Sequence, residues 1–425
     1  MITGVLIGAG QRGMQVYAAY ALRYPQEFKI VAVAEPNAER RRKMQELHHI
    51  PAELAFSDWK ELLQKNVMAD CALICTMDQQ HTEPAIAALQ KGYHVLCEKP
   101  MSPAPEACIA MANAAKQYGK TLTVCHVLRY SPLYTKVKEI MDSGVIGSVA
   151  SIQHIECVGY KHQAHSFVRG NWRSTKQSSP MILQKSCHDM DILSWLIGRR
   201  CTKVSSFGSL MHFKPENAPT GSAERCMDGC KVRHDCPYDC VKIYLQDDAP
   251  FSQVIRKVVA LEGTNEAVTQ ALKTGPYGRC VYHCDNDVVD HQVVNLEYEG
   301  GVTASFTMCA FTYGGSRIMN IMGTHGQILC DMDNNRIEIL DFLTGSQDVI
   351  TVKVGSSGHS GSDDAFMRGF LRTVETNGAF TLSSAEQSVE SHLIAMAAEE
   401  SRITGKTIDM QQYIAQKDEK MHEIQ

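Results

Sequence analysis

Val5-Leu6-Ile7-Gly8-Ala9-Gly10-Gln11-Arg12-Gly13 is the stretch whose reading decides the fold. An apolar run ends in a glycine-rich turn, and a helix-like stretch from Met14 to Leu22 follows it. The first two glycines permit a tight turn and close backbone approach to a pyrophosphate. The third lets helix and strand pack closely, and the helix start supplies free N–H groups with a partial positive charge. A lone GxGxxG arises by chance, but here a second apolar strand, Ile30-Val31-Ala32-Val33-Ala34, ends in Glu35, 22 residues after Gly13. A carboxylate at that distance is placed to hold the adenosine ribose hydroxyls. The pattern predicts a dinucleotide site on Gly8, Gly10, Gln11, Arg12, Gly13 and Glu35.

Outward from the turn, residues 1–124 alternate apolar strands with amphipathic helices, which implies βαβ units, a parallel sheet and a Rossmann domain. Thr76, His81, Glu98 and Lys99 all fall just past predicted strand ends, the edge where such sheets bind ligands. Residues 125–410 have a different texture. Strand-like runs at 148–160, 293–298, 303–308, 317–322, 327–330 and 336–340 have few helices between them. They predict an α+β domain whose large open sheet is mostly antiparallel, with helices on one face. The other face suits contact between copies of the chain. Residues 214–248 read as a polar, cysteine-rich excursion, and residues 411–425 as a C-terminal tail.

The composition excludes several classes. A chain of 425 residues with 44% hydrophobic and 21% charged residues has the profile of a globular protein of two or three domains. Its net charge of −5 argues against nucleic acid as a partner. It contains no 18-residue apolar run, so no membrane span is expected. The first strand begins at once, leaving no signal peptide, and a cytoplasmic location is expected. The sixteen cysteines then read as reduced thiols, with Cys71, Cys75, Cys97 and Cys125 in apolar strands as buried filler.

Two motifs point to chemistry. In Cys97-Glu98-Lys99-Pro100, Lys99 emerges at the ligand edge, where an ammonium can stabilise the alkoxide that forms as a hydride leaves. In Gln184-Lys185-Ser186-Cys187-His188-Asp189-Met190-Asp191, His188 and Asp191 lie one helical turn apart. A histidine with such an acid suits general-base work, although a satisfied structural histidine has the same pattern.

In combination these elements resemble the glucose–fructose oxidoreductase and inositol dehydrogenase family (Gfo/Idh/MocA). The resemblance rests on the GxGxxG, Thr76 with His81, Glu98-Lys99-Pro100, Arg129-Tyr130-Ser131-Pro132, Asn171-Trp172-Arg173 and His188-x-x-Asp191. It implies a Rossmann domain joined to a sheet-bearing α/β domain, often as a homodimer or homotetramer. It also implies Lys99 and His188 as the catalytic pair, and NAD rather than NADP beside Glu35. Thr76, His81, Glu98 and Lys99 would face the cofactor, and Arg129, Trp172, Lys185 and Asp191 a sugar or cyclitol. Many members carry Asp four residues before the histidine and Gly two before it. This chain has Gln184 and Ser186, and Lys185 adds a second cation. The activity implied is hydride transfer at a carbinol carbon. An NAD-dependent glycoside hydrolase working through transient C3 oxidation, and a catalytically silent nucleotide-binding regulator, share the scaffold.

Other polar groups stay open. Cys226, Cys230, Cys236 and Cys240 offer four thiols for a structural zinc or remain free. Three stretches suit the many hydroxyls of a sugar: Lys161, His162 and His165; Asp285 to His291; and His359 to Asp364.

Overall fold

The computed structural model of the chain describes residues 1–355 and 361–424. Six strands form the first sheet: β1 (Ile2–Ile7), β2 (Phe28–Ala34), β3 (Ala55–Phe56), β4 (Cys71–Ile74), β5 (His94–Cys97) and β6 (Leu122–Val124). All pair in parallel, in the order β3-β2-β1-β4-β5-β6. These strands are short and apolar because helices cover both faces. Val5, Leu6, Ala72, Leu73, Val95 and Leu96 are all fully buried. The order reverses between β1 and β4, which opens a crevice above the end of β1, where the glycine turn lies.

The second sheet has nine strands: β7 (Val149–Cys157), β8 (Cys201–Ser209), β9 (His291–Tyr298), β10 (Thr303–Cys309), β11 (Ser316–Gly323), β12 (Gly326–Asp331), β13 (Arg336–Asp341), β14 (Gln347–Thr351) and β15 (Ile408–Asp409). Their order is β14-β13-β12-β11-β7-β10-β9-β8-β15, antiparallel except for the β7–β10 pair. Helices Cys187–Ile197 and Ala385–Thr404 cover one face. On the other face a register row crosses five strands: Phe207, Val293, Thr307, Ile155 and Ile318 are successive partners. Its four large apolar members are 37–66% exposed.

Two sequence expectations need correction. Strand β8 has few apolar residues, and a register shift between Cys201 and Lys203 breaks its period-two pattern, so it was not anticipated. The excursion is also longer than 214–248. It runs from 210 to 290 between neighbouring strands β8 and β9 and includes helices Pro250–Val259 and Asn265–Thr274. Phe213, Tyr244, Ile255, Leu272 and Tyr277 give it a small core of its own, closed by Ala164 and Val168. The C-terminal tail forms the helix Met410–Ile424, which buries Met410, Tyr413 and Met421.

Candidate active site

The three glycines of the turn answer to different constraints. Gly8 has φ +94°, and a Cβ there would sit 2.5 Å from the Cys75 carbonyl oxygen. A Cβ on Gly13 would lie 2.2 Å from the Gly8 oxygen, whereas one on Gly10 would meet nothing within 4 Å. The first and third are therefore demanded by packing, while the second faces open space at the start of a helix, the cradle a pyrophosphate needs. Glu35 ends β2 beside it. Its Oε2 accepts from Ala9 N at 2.6 Å and its Oε1 from Asn37 N at 2.9 Å. These residues fit a dinucleotide: Gly10 would leave room for its phosphates and Glu35 would stand at its ribose. Gln11 is exposed at the mouth.

Arg12 turns away from the cradle. Its Nε donates to Glu98 Oε1 at 2.7 Å, and its Nη1 to Asp363 Oδ1 at 3.1 Å. Glu98 also accepts from the Tyr17 hydroxyl at 2.5 Å and from Lys99 N at 3.2 Å. Burial alone would raise the Glu98 carboxyl, but the Arg12 charge and the Tyr17 bond hold it below its ordinary value. The residue expected at the cofactor thus fixes the loop that carries Lys99.

Lys99 follows β5, and its Nζ donates to the Gln184 carbonyl oxygen in the second domain at 2.5 Å. Gln184 ends the short helix Met181–Gln184, and the helix Cys187–Ile197 that bears His188 begins three residues later. Beside His188 lies His126, whose ring centroid is 5.8 Å from that of His188 and 5.4 Å from that of His392. The sequence suggests Asp191 as the acid orienting His188. In the structure both Asp191 oxygens accept from Arg129, at 2.7 Å each, and His126 Nε2 stands 3.7 Å from Oδ1. Arg129 and Asp191 are therefore committed to one another in a buried pair at the domain junction.

The remaining expected residues take defined places. His81 is buried between two carbonyls, those of Pro100 at 2.7 Å and Thr76 at 3.1 Å, and so ties two strand-end loops together. The Thr76 hydroxyl donates to Gln80 O. Lys185 Nζ lies 2.9 Å from Glu156 Oε1, in a buried network that runs through Arg317 to Asp189. Trp172 is half-buried, with its ring 6.2 Å from that of Phe167. Lys161 pairs with Asp247 and His165 stacks on Tyr277, both against the excursion. Asp285 and Asp287 hold Arg173 and Thr175. His359 and Ser360 lie outside the described residues.

Asp78, His126 and His392 were not singled out from the sequence. Asp78 Oδ2 accepts from the hydroxyls of Ser178 at 2.6 Å and Ser179 at 2.8 Å, docking the second domain beside the β4 loop. Its place two residues beyond Thr76, at a strand's carboxyl end, was a usable signal. His392 Nε2 accepts from Met101 N at 2.9 Å, across 291 positions of sequence, and no local pattern carries that contact.

Comparison with known proteins agrees with this geometry. Residues 2–126 match the oxidoreductase family with the NAD-binding Rossmann fold, GFO_IDH_MocA, and residues 138–410 match its C-terminal alpha/beta domain. The chain belongs to this family and is an NAD(P)-dependent oxidoreductase of the Gfo/Idh/MocA class. The Bacillus subtilis (strain 168) protein YteT, named as an oxidoreductase, is 26% identical over 381 residues, 84% of this chain and 86% of that one. Inositol 2-dehydrogenase 2 of Saccharopolyspora erythraea is 30% identical over 138 residues, which is 32% of this chain and 38% of that protein. A structure of levoglucosan dehydrogenase with NADH and levoglucosan shares the fold, with a TM-score of 0.70 and 17% identity. The match covers 96% of this chain and 99% of that one. No helix among the described residues is long and apolar enough to cross a membrane.

The glycine geometry predicts a clean separation. Gly10→Ala should keep the thermal midpoint of the ligand-free protein but weaken dinucleotide binding by roughly tenfold or more, because a methyl enters the cradle. Gly13→Ala should lower the midpoint itself. Equal behaviour of the two variants in calorimetry and titration would contradict the assignment.

Burial also leaves three histidines neutral in the fold. It lowers His126 and His165 to about 3 and His392 to about 4. Unfolded, they take up protons below about pH 6.5. The unfolded state alone therefore gains protons as pH falls through that value, and folding loses roughly 1 kcal/mol per histidine between about pH 7.5 and 5.5. The urea midpoint should fall over this range, with a shallower fall in His165→Phe. A midpoint independent of pH would refute the neutral state.

Proposed function

We propose that the protein moves a hydride between a carbinol carbon of a sugar, sugar derivative or cyclitol and the nicotinamide of NAD, with Lys99 and His188 as its catalytic pair. The observation that carries this reading is the 2.5 Å bond from Lys99 Nζ to the Gln184 carbonyl. It brings an ammonium from the nucleotide domain to the foot of the helix that bears His188. An ammonium has three N–H donors, so two remain for a substrate hydroxyl. When bound, nicotinamide supplies the hydride acceptor. His188 takes the hydroxyl proton, and Lys99 donates to the same oxygen and stabilises its developing charge. Both are needed, because loss of hydride yields a carbonyl only if the proton leaves as well.

The substrate class is supported by the relatives, whose names specify inositol and levoglucosan. NAD is favoured over NADP by Glu35, whose carboxylate would repel a 2′-phosphate. Arg41, a nearby cation, donates from Nη1 to the Glu35 and Pro36 carbonyls. A homodimer or homotetramer is supported by the exposed apolar row of the second sheet, since a flat face of this kind is normally covered. The chain's chemistry fits a cytoplasmic enzyme with reduced thiols.

A panel of polyols, sugars and glycosides should be tested with NAD and with NADP, following both dinucleotide reduction and aglycone release. Reduction of NAD is expected with a hydroxylated ring. On that substrate, Lys99→Ala and His188→Ala should each cut turnover by roughly 10²-fold or more. Near wild-type rates would sink the pair, and aglycone release without net reduction would replace the reaction. For the oligomer, Phe207→Glu with Ile318→Glu should shift the mass measured by light scattering to that of a single chain. A wild-type protein already of that mass would contradict the interface.

A further inference from the structure

Two thiols of the cysteine-rich excursion converge on a carboxylate. Cys226 Sγ, Cys240 Sγ and a carboxylate oxygen of Asp239 lie within 4.8 Å of one another, and all three residues are buried. Cys226 and Asp239 also line a cleft with Cys230, Cys236 and Cys280. The geometry thus revises the four-thiol set read from the sequence. Asp239 joins Cys226 and Cys240, while Cys230 and Cys236 stand along the cleft.

A second observation does not depend on this spacing. Arg169 lines the same cleft and is fully buried. Its Nε donates to Arg279 O at 2.7 Å, and its Nη2 donates to Tyr238 O at 2.7 Å and lies 3.6 Å from Cys226 Sγ. Its Nη1 has no hydrogen-bond partner, and no carboxylate pairs with it among the described residues. A buried guanidinium without a counter-charge is strongly unfavourable, and thiolates held by a metal would supply the missing anion. Arg233 does the same for the carboxylate, its Nε donating to Asp239 Oδ2 at 3.0 Å. Both arginines occupy the outer positions that orient metal ligands in known sites.

We propose that Cys226, Asp239 and Cys240 bind one zinc ion, with its fourth position facing the cleft of Cys230, Cys236 and Cys280. Two thiolates and a carboxylate are zinc donors, whereas magnesium and calcium favour all-oxygen sets. Binding displaces the two thiol protons and changes no oxidation state. The ion braces more than the excursion. Arg169 holds the Arg279 carbonyl, Arg279 Nη1 donates to Asp285 at 2.6 Å, and Asp285 accepts from Arg173 beside Trp172.

Full-length protein purified without chelator should carry about one zinc per chain by elemental analysis. Cys226→Ser and Asp239→Asn should lose it, and Cys330→Ser in β12 should keep it. Should those ligand variants fail to fold, cobalt(II) exchanged into the wild-type protein decides the matter. It should give the strong ligand-field bands of a tetrahedral site and a thiolate-to-cobalt charge-transfer band. Iron in place of zinc, less than about a tenth of an equivalent of metal, an octahedral cobalt spectrum, or a Cys226–Cys240 disulfide in a non-reduced peptide digest would each overturn the proposal.

Discussion

The Glu98 carboxylate is the constraint on which the rest of the site depends. It is buried at the end of β5, where an unpaired charge would not survive, and Arg12 and Tyr17 make its ionised form stable. Arg12 belongs to the glycine turn and also reaches Asp363 in the second domain. One ion cluster therefore joins the glycine turn, the loop that holds Lys99 and the helix Ser362–Glu375. Removing the acid would leave Arg12 half-compensated and Lys99 without the bond to its backbone N–H. The cost would fall on the position of Lys99 as well as on stability.

The same device recurs on the other side of the site. Asp189 lies next to His188 on its helix and is fully buried, accepting from Arg317 Nε at 2.7 Å and facing His154 Nε2 at 2.8 Å. Burial would raise its carboxyl, but the Arg317 charge and the His154 contact lower it instead. Arg317 continues to Glu156 and so to Lys185. The helix of His188 is thus pinned to β7 and β11 by charges within the protein. With Asp78 on Ser178 and Ser179, and Arg129 on Asp191, the junction is held by directional polar contacts.

Much of this was legible in the sequence, because it is local. The GxGxxG, the acid after β2 and the lysine after β5 are patterns of a few residues whose meaning comes from the strand ends beside them. The alternation of buried and exposed residues in β9, β10 and β11 likewise predicts a half-covered sheet. What was not legible is pairing across long separations. Arg12 reads from the sequence as a residue of the dinucleotide turn, and its bond to Asp363, 351 positions away, has no local signal. Asp191 lies one turn from His188 in sequence, but its bidentate bond from Arg129, 62 positions away, carries no local signal. The excursion was cut short at 248 because its second half is made of ordinary amphipathic helices. Only their shared core with Tyr244 and Tyr277 shows that they belong to it.

Lys99, bonded across the domain junction to the Gln184 carbonyl, and His188 on the helix that follows are proposed to serve hydride transfer at a ring carbinol carbon. Mass spectrometry of the dinucleotide, after turnover of a ring polyol or sugar deuterated at its carbinol carbons, tests this most directly. One deuterium is expected in the reduced nicotinamide for each substrate consumed. Substrate consumed while the dinucleotide stays unlabelled would contradict it.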